Sequence, residues 1–335
     1  METILVTGGC GYIGSHACVS LLENNYNVVI IDSLVNSFEN SINNIKKIFK
    51  NKSINIENRI EFIKGDLRNK KLLDEVFSRY LNSQNPIKSV IHFAGLKSIS
   101  ASIKHPLLYW ESNINSTLSL LSSMKENNCC SLIFSSSASV YKPNGNSLLN
   151  EEDIIEPLTP YGKTKACIEG ILKDLYQSDN NWRIANLRYF NPVGSHSSGF
   201  LNEKSKGKPS NLFPSIFKAI TDEQEKLLVF GKDWPTYDGT CIRDFIHVMD
   251  LANAHIAALG FLEENKPQNI SINIGTGKGT SVLEVIKTFK EIKGINLDYE
   301  FVDRRIGDQP FVVADNALAL KLLSWSPIRN ISDMC

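Results

Sequence analysis

The chain has 335 residues, and its 36 Lys and Arg balance its 36 Asp and Glu, so the formal net charge is zero. This balance excludes the basic charge of a typical nucleic-acid-binding protein and the polybasic segments of a membrane-surface protein. No apolar run reaches the roughly 18 residues of a membrane span, and at about 150 residues per domain the length predicts two domains.

Short apolar runs alternate with longer, helix-length segments through the first 190 residues. The apolar runs predict strands at Ile4–Thr7, Asn27–Asp32, Ile60–Lys64, Ser89–Ala94, Leu132–Ser135 and Ile184–Phe190. The segments between them predict helices at Gly14–Asn24, Lys70–Leu81, Pro106–Glu126 and Pro160–Gln177, with a surface helix and loop in Ser41–Asn58. Strands that are apolar throughout are typical of a parallel sheet with both faces buried. The predicted fold class is therefore α/β, with a doubly wound parallel sheet.

This regular alternation weakens after about Asn191. Residues Gly194–Asn211 are rich in Ser, Gly, Lys and Asn and predict a long loop, and a strand at Ser271–Ile274 and a helix at Ser281–Lys290 follow. We expect a nucleotide-binding domain at 1–190 and a smaller mixed α/β substrate-binding domain at 191–335. Some later segments, such as 242–262, are expected to pack back on the first domain.

The seven cysteines are odd in number and scattered along the chain. This pattern favours free thiols in a reducing compartment, and we expect a cytoplasmic protein. The N-terminus has no basic region before its first apolar run, so no signal peptide is expected.

A glycine-rich turn, Thr7-Gly8-Gly9-Cys10-Gly11-Tyr12-Ile13-Gly14, follows the first predicted strand. Glycines let the backbone approach a pyrophosphate, and the free N–H groups of the following helix bind the phosphates. A glycine-rich turn of purely structural role remains the alternative for the motif alone. Asp32, at the end of the next strand, would accept hydrogen bonds from both adenosine ribose hydroxyls. Because no Arg or Lys occurs in 33–37, we predict NAD rather than NADP.

Asp66 and Leu67 follow the third predicted strand, where an adenine pocket would form. Asp66 is also a candidate helix cap before Leu67–Lys71. Both interpretations stay open.

Tyr161 and Lys165 are four residues apart, so on a helix they share one face. A buried ammonium beside a phenol is expected to lower the pKa of the tyrosine and suit it as a general base. Ser135–Ser137, at the end of the fifth strand, could relay the proton. The alternative for this motif is a solvated helix face, but Pro160 at the helix start favours the functional interpretation.

The segments GGCGYIGSH, HFAGLKS, FSSSASVY, YGKTK, LRYFNPVGSH and DGTCIRDFIHVMDLA resemble the UDP-glucose 4-epimerase family, within the extended short-chain dehydrogenase/reductase superfamily. The resemblance extends from Thr3 to about Trp325. It implies a Rossmann domain and reversible C4 epimerisation of UDP-galactose and UDP-glucose through a 4-keto intermediate. NAD stays tightly bound in that family, and a homodimer is expected, with Pro106–Met124 as a candidate interface.

The resemblance also implies roles for individual residues. Tyr161 would take the C4-hydroxyl proton, Ser137 would bind that oxygen, and Lys165 would hold the nicotinamide ribose. The implied cofactor-binding residues are Gly8, Gly11, Tyr12, Ile13, Gly14, Asp32, Asn36, Ser37, Asp66, Leu67, Phe93, Ala94, Gly95, Lys97, Ser135, Tyr161, Lys165 and Tyr189. An asparagine that the family usually has near the nicotinamide is Ser112 here, and Asn113 follows it.

A diphosphate needs cationic donors, and guanidinium is its best bidentate partner. Arg243 and Arg305 match the family's phosphate-binding arginines, Asp308 a ribose contact and Phe230 a uracil contact. The implied substrate-binding residues are Lys97, Ser137, Tyr161, Phe190, Asn191, Asn211, Leu212, Phe230, Arg243, Val312, Arg305 and Asp308. The alternatives are a structural Arg243–Asp244 ion pair and a core role for Phe230. His247 is expected to be structural, and no metal-binding spacing occurs.

Val312 falls where the family has a gate for sugar size, with tyrosine in hexose-only members. Its small side chain leads to the hypothesis that UDP-N-acetylglucosamine and UDP-N-acetylgalactosamine are also interconverted; a simple packing role is the alternative. Rival functions are epimerisation of a UDP-uronate or UDP-pentose, 4,6-dehydration and dinucleotide sensing. Dehydration needs an acid and a base where this chain has Ala138 and Ser139, and a sensor has no need of Tyr161 and Lys165.

Overall fold

The computed structural model describes residues 1–81, 83–145, 147–204, 206, 211–221 and 226–335. Across these ranges, none of the helices combines the length and the apolar character needed to cross a lipid bilayer. The predicted loop at 194–211 is described only in part, because residues 205 and 207–210 lie outside these ranges.

The strands and helices follow the predicted order, with one further helix, Ile99–Lys104, in the first half and more elements in the second half. The strands are β1 Thr3–Thr7, β2 Asn27–Asp32, β3 Ile60–Lys64, β4 Ile87–His92, β5 Ser131–Ser137, β6 Arg183–Tyr189, β7 Asn191–Val193, β8 Leu227–Phe230, β9 Ile242–His247, β10 Asn269–Ile274, β11 Gly279–Ser281, β12 Tyr299–Val302 and β13 Phe311–Val312. The helices are α1 Tyr12–Glu23, α2 Asn40–Asn51, α3 Lys70–Leu81, α4 Ile99–Lys104, α5 Pro106–Glu126, α6 Pro160–Ser178, α7 Leu212–Thr221, α8 Val248–Glu264, α9 Val282–Lys293, α10 Ala317–Leu323 and α11 Ile331–Met334. All six strands predicted in the first half are confirmed, with ends that differ by one or two residues.

A seven-stranded sheet, in the order β10-β6-β5-β4-β1-β2-β3, forms the centre of the molecule. Each neighbouring pair in this sheet is parallel, so the carboxyl ends of the strands meet at one edge. The order runs outward in both directions from β1 and confirms the doubly wound fold. In such sheets, ligands bind at the carboxyl edge, where the direction of winding changes.

The two faces of the sheet bury separate hydrophobic cores. Along β1, Ile4 and Val6 pack in the core that contains α1 and α8. Leu5, between them, packs in the core that contains α3, α5 and α6. Burial on both faces explains why β1 is apolar at every position and does not alternate.

Helix α8, which was not predicted, lies against α1, β5 and β6. Buried residues occur around most of its circumference, from Val248 to Leu262. A helix buried on several sides has no regular polar stripe, and its periodicity is therefore weak. Strand β10 joins the large sheet beside β6, although it lies within the range predicted for the second domain. The division into 1–190 and 191–335 stays a prediction.

A second group of elements contains a small sheet of β7, β9, β11 and β13, and a separate β8–β12 pair. Helices α7 and α9 pack on it through Phe213, Phe245 and Phe289, whose rings form edge and tilted contacts. Because only Phe190 separates β7 from Tyr189 at the carboxyl end of β6, this small sheet begins at the carboxyl edge of the large one.

Candidate active site

The glycine-rich turn packs closely on itself and on the neighbouring strand end. Gly8 has a φ of +72°, and a Cβ there would lie 2.7 Å from the Ala94 backbone nitrogen. A Cβ on Gly14 would lie 2.4 Å from the Gly8 carbonyl oxygen. Only glycine fits these two positions, and the turn leads directly into α1. These features form a backbone cradle of the kind that binds a dinucleotide pyrophosphate.

The Asp32 carboxylate holds the end of this cradle. It is buried and accepts hydrogen bonds from the Cys10 backbone nitrogen at 2.9 Å, the Leu34 nitrogen at 2.8 Å and the Ser37 hydroxyl at 2.7 Å. The carboxylate is therefore fixed before any ligand binds. Asn36 lies exposed on the same loop, and Ile13 packs half-buried at the start of α1.

Asp66 does not cap a helix, so that interpretation is wrong. Helix α3 begins at Lys70, and the side chain of Asn69 accepts the hydrogen bond from the Leu72 backbone nitrogen at 3.3 Å. Asp66 instead pairs with Arg68 at 2.7 Å, and the hydrogen bond from Arg68 lowers the pKa of its carboxyl group. Leu67 is buried beside it.

Phe93, Ala94 and Gly95 lie immediately beyond the carboxyl end of β4, and the amide of Asn113 holds this segment in place. Its Oδ1 accepts a hydrogen bond from the Leu96 nitrogen at 2.7 Å, and its Nδ2 donates to the Leu96 carbonyl at 3.1 Å. The same Nδ2 lies 3.1 Å from the hydroxyl of Thr164 on α6. Asn113 therefore joins the cofactor side to the helix that carries Tyr161.

Ser137, Tyr161 and Lys165 come together at the carboxyl end of β5, as the sequence predicts. Tyr161 lies in the first turn of α6, where Thr159 caps the helix and Pro160 starts it. Lys165 is buried, its Nζ donates to the Ser135 carbonyl at 2.6 Å, and it lies 5.9 Å from the centre of the Tyr161 ring.

The pKa of Tyr161 differs from the prediction. Burial raises the pKa of Tyr161 to about 12, and a hydrogen bond with Ser137 only partly opposes this effect. Burial also lowers the pKa of Lys165 to about 7. The expected lowering of the Tyr161 pKa is therefore absent from the protein alone, because desolvation by burial is the largest cause of the shift in both groups.

A buried ion pair supports α6 and β5 from behind. Glu169, one turn after Lys165, binds Arg188 of β6 at 2.7 Å and accepts a hydrogen bond from Ser136 at 2.5 Å. The Arg188 guanidinium also donates to the Tyr141 hydroxyl at 2.8 Å. These side chains were missed because a Glu and an Arg distant in sequence give no sign that they meet in space.

Tyr189 and Phe190 are buried at the end of β6. The Tyr189 hydroxyl lies 2.5 Å from His255 Nε2, and the Phe93 ring lies 4.9 Å from the ring of His255. His247 ends β9, accepts a hydrogen bond from the Met249 nitrogen at 3.1 Å and packs on Gly194, so its structural role is confirmed.

The predicted phosphate-binding arginines lie near each other, with Arg243 in β9 and Arg305 between β12 and β13. Arg243 of β9 lies 3.8 Å from the Asp308 carboxylate. The guanidinium of Arg305 stacks 3.6 Å from the centre of the Phe230 ring. Phe230 is half-buried, and the Arg305 guanidinium covers one face of its ring, so that face does not pack in the core.

The alternative prediction, a structural ion pair between Arg243 and Asp244, is wrong. Asp244 is fully buried and accepts hydrogen bonds from Thr276 at 2.8 Å, Gly277 at 2.9 Å and Ala314 at 3.2 Å. This carboxylate thus fixes the segment after β13, while Val312 of β13 lies opposite Arg243 in the sheet register. Arg243 and Asp244 face different partners because successive residues of a strand point to opposite faces.

Asn191 and Leu212 are half-buried at the starts of β7 and α7. Asn211 is exposed, and its Nδ2 donates to Glu203 at 2.8 Å. Lys97 lies 3.4 Å from the same carboxylate. Glu203 was missed because a single acidic residue in a polar loop gives no sequence signal.

Comparison with known proteins agrees with this geometry. A model of the NAD dependent epimerase/dehydratase family matches residues 4–275. The chain belongs to this family. Its dependence on NAD confirms the cofactor predicted from Asp32.

Individual members of the epimerase family are similar over nearly the whole chain. UDP-glucose 4-epimerase of Bacillus subtilis is 42% identical, and the match covers 99% of this chain and 94% of that protein. The crystal structure of UDP-glucose 4-epimerase from Bifidobacterium longum in complex with NAD+ and UDP has a TM-score of 0.92, 40% identity and coverage of 99% and 96%. UDP-glucose-4-epimerase from Stenotrophomonas maltophila, with bound NAD and formylated UDP-arabinopyranose, has a TM-score of 0.93, 40% identity and coverage of 100% and 96%.

Proposed function

We propose that the chain catalyses reversible inversion at C4 of UDP-galactose and UDP-glucose, through a 4-keto intermediate and with tightly bound NAD. The observation that carries this proposal is the grouping of Ser137, Tyr161 and Lys165 at the carboxyl edge of the sheet, beside a glycine cradle. Similarity to UDP-glucose 4-epimerases over the whole chain supports the sugar and the reaction.

Tyr161 is the proposed general base for the C4 hydroxyl, and the Ser137 hydroxyl binds the same oxygen. Bound NAD would supply the acceptor and donor of the C4 hydride and a positive ring that favours the phenolate. The proton that Tyr161 takes would return to the C4 oxygen when the hydride returns to the opposite face of the sugar. Because burial holds the Tyr161 pKa near 12, the phenol stays protonated until positive charge accumulates beside it. Lys165 holds the nicotinamide ribose and contributes to this charge.

Inversion requires that the 4-keto sugar turn over while the nucleotide stays in place. Arg243 and Arg305 are proposed to bind the diphosphate, Asp308 the ribose and Phe230 the uracil. Guanidinium groups are strong diphosphate ligands, whereas a sugar held by few polar contacts is free to rotate about its link to the diphosphate.

Incubation of the purified protein with UDP-galactose, without added cofactor, tests this function. We expect UDP-glucose to form and to reach equilibrium with UDP-galactose, with product analysis by chromatography. A 4-keto-6-deoxy sugar nucleotide would instead indicate 4,6-dehydration. Faster turnover of a UDP-uronate or UDP-pentose would favour an epimerase of another UDP-sugar, a possibility that the sugar nucleotide in the Stenotrophomonas maltophila structure makes worth testing.

We also propose that UDP-N-acetylglucosamine and UDP-N-acetylgalactosamine are interconverted. Val312 is half-buried, lies opposite Arg243 in the sheet register and packs against the cluster that contains Ala138 and Phe190. The proposal rests on its small size at the position where the family has its gate for sugar size. Val312→Tyr should abolish turnover of the acetylated pair and preserve that of UDP-galactose. Absence of acetylated-sugar turnover in the wild type would refute the proposal.

We also propose that the chain forms a homodimer and that it is located in the cytoplasm. Helix α5 exposes apolar side chains, with Leu107 82%, Leu108 49% and Leu118 45% exposed, and such a face suits a second copy of the chain. Light scattering should give twice the monomer mass, and Leu107→Lys with Leu118→Lys should reduce it to the monomer. The seven cysteines are free thiols, consistent with a reducing compartment.

A further inference from the structure

Glu203 lies on the loop between β7 and α7, where it meets two parts of the cleft at once. Its side chain is only 11% exposed. One carboxylate oxygen, Oε1, accepts the hydrogen bond from Asn211 Nδ2 at 2.8 Å and lies 3.4 Å from Lys97 Nζ. Lys97 follows β4, whose end packs against the glycine turn, whereas Asn211 directly precedes α7. A single oxygen therefore joins the two parts.

Tyr12 ties the same loop to the glycine turn. Its hydroxyl donates to the Gly194 carbonyl at 2.7 Å, across 182 positions of sequence. The Lys97 ammonium lies 5.8 Å from the centre of the Tyr12 ring. Tyr12, Lys97 and Glu203 thus lie where four parts of the chain meet. These parts are the glycine turn, the end of β4, the loop between β7 and α7, and the start of α7.

A negative side chain at this place is electrostatically unfavourable, because NAD and a UDP-sugar are both anionic. A largely buried carboxylate also loses hydration, a cost that only its paired donors offset. Lys97 has three N–H donors, so its contact with Glu203 leaves donors for a ligand oxygen. The contacts of Glu203 therefore fit a role in positioning its two donors better than direct binding of either ligand.

We infer that Glu203 is a positioning residue for cofactor retention: it holds the Lys97 ammonium and the Asn211 amide in place, so that NAD stays bound while sugar nucleotides exchange. This inference rests on the proposed function for the identity of the second ligand. It concerns a side chain outside the catalytic group, and its effect is on release of NAD and on binding of the sugar nucleotide.

Glu203→Gln tests the inference with little change of shape, since its amide oxygen can still accept from Asn211 while its charge is lost. NAD release is measured on the purified holoenzyme, by chromatography of free NAD after dilution and without substrate. We expect release about fivefold faster than in the wild type, a KM for UDP-galactose raised about fivefold, and kcat within about twofold. Glu156→Gln, which removes an exposed partner of Lys142 at 2.9 Å, is the matched control and should release NAD at the wild-type rate.

A double-mutant cycle shows whether Glu203 acts through Lys97. We expect Lys97→Met with Glu203→Gln to release NAD no faster than Lys97→Met alone. Independent, multiplying effects, or an unchanged release rate in Glu203→Gln, would overturn the inference. Because release is measured without turnover, a wild type that holds NAD but makes no UDP-glucose would refute the proposed function alone.

Discussion

The two sides of the cleft satisfy their charged groups in different ways. On the predicted cofactor side, Asp32 accepts hydrogen bonds from two backbone N–H groups and the Ser37 hydroxyl, so its partners are fixed by the fold. On the predicted substrate side, Arg243 lies 3.8 Å from Asp308, and Arg305 stacks 3.6 Å from the centre of the Phe230 ring. There, charged and aromatic side chains proposed to bind the ligand contact one another.

This difference suggests how one protein can keep one anionic ligand and exchange another. A cradle of backbone groups needs no rearrangement to bind, which lowers the cost of association. Long side chains that contact each other must exchange partners on binding, at a cost in free energy and side-chain entropy. We therefore expect tight retention of the dinucleotide and readier release of the sugar nucleotide.

Tyr161 lies between the two sides, and the substitution Tyr161→Phe should have the largest effect on turnover. Loss of the general base is expected to lower kcat for UDP-galactose by roughly 10²- to 10⁴-fold, while bound NAD stays near the wild-type amount. Steady-state assay and NAD content by absorbance measure the two quantities. Tyr176→Phe on the same helix is the control, and near-normal turnover in Tyr161→Phe would contradict the catalytic role.

Gly14→Ala should damage the cofactor side. Its Cβ would lie 2.4 Å from the Gly8 carbonyl oxygen, in a cradle of backbone atoms that cannot move away cheaply. We expect loss of most bound NAD after gel filtration. Gly11→Ala, at 3.2 Å from the same oxygen, should lose less, and Gly260→Ala, with open space around its Cβ, should lose none. Full NAD content in Gly14→Ala would show that the turn is not the cofactor cradle.

Arg305→Ala should damage the substrate side alone. Removal of a charge-assisted contact with a diphosphate is expected to raise the KM for UDP-galactose roughly 10- to 100-fold, with NAD content unchanged. Arg304→Ala is the matched control, because Arg304 stacks 4.1 Å from the Trp234 ring and pairs with Asp233. Equal effects of the two substitutions would argue against a specific phosphate contact at Arg305.

The smallest expected effect is on stability. Lys165→Met, which should also lower turnover because Lys165 belongs to the catalytic group, should change how the free energy of unfolding depends on pH. Burial lowers the folded-state pKa of Lys165 to about 7 from 10.5, so the unfolded chain binds more protons between these values. Its contribution to the free energy of unfolding therefore rises with pH across this window, by up to about 1.4 kcal/mol per pH unit. Denaturant titrations should show the stability of Lys165→Met relative to wild type greatest near pH 7 and falling toward pH 10. A constant difference would mean that the ammonium is not desolvated.

Much of the large sheet could be predicted from sequence, because strands buried on both faces are apolar at every position. The sequence also predicted the glycine turn, Asp32 and the Tyr161–Lys165 pair, because each is recognised by the spacing of residues close together in the chain. Helix α8 was missed because burial on several sides removes its amphipathic period. The alternative pairing of Arg243 with Asp244 was wrong, because adjacent residues on a strand point to opposite faces.

The sequence by itself determined the α/β class, the cofactor cradle and the residues able to carry acid–base chemistry, because these depend on residue type and short spacing. Only the tertiary structure decided which side chains meet: Glu203 with Lys97 and Asn211, Arg305 with Phe230, and Glu169 with Arg188. It also decided that desolvation governs the pKa values of Tyr161 and Lys165. The desolvation of polar side chains and their long-range proximity follow from packing, and neither is written in the local pattern of a chain.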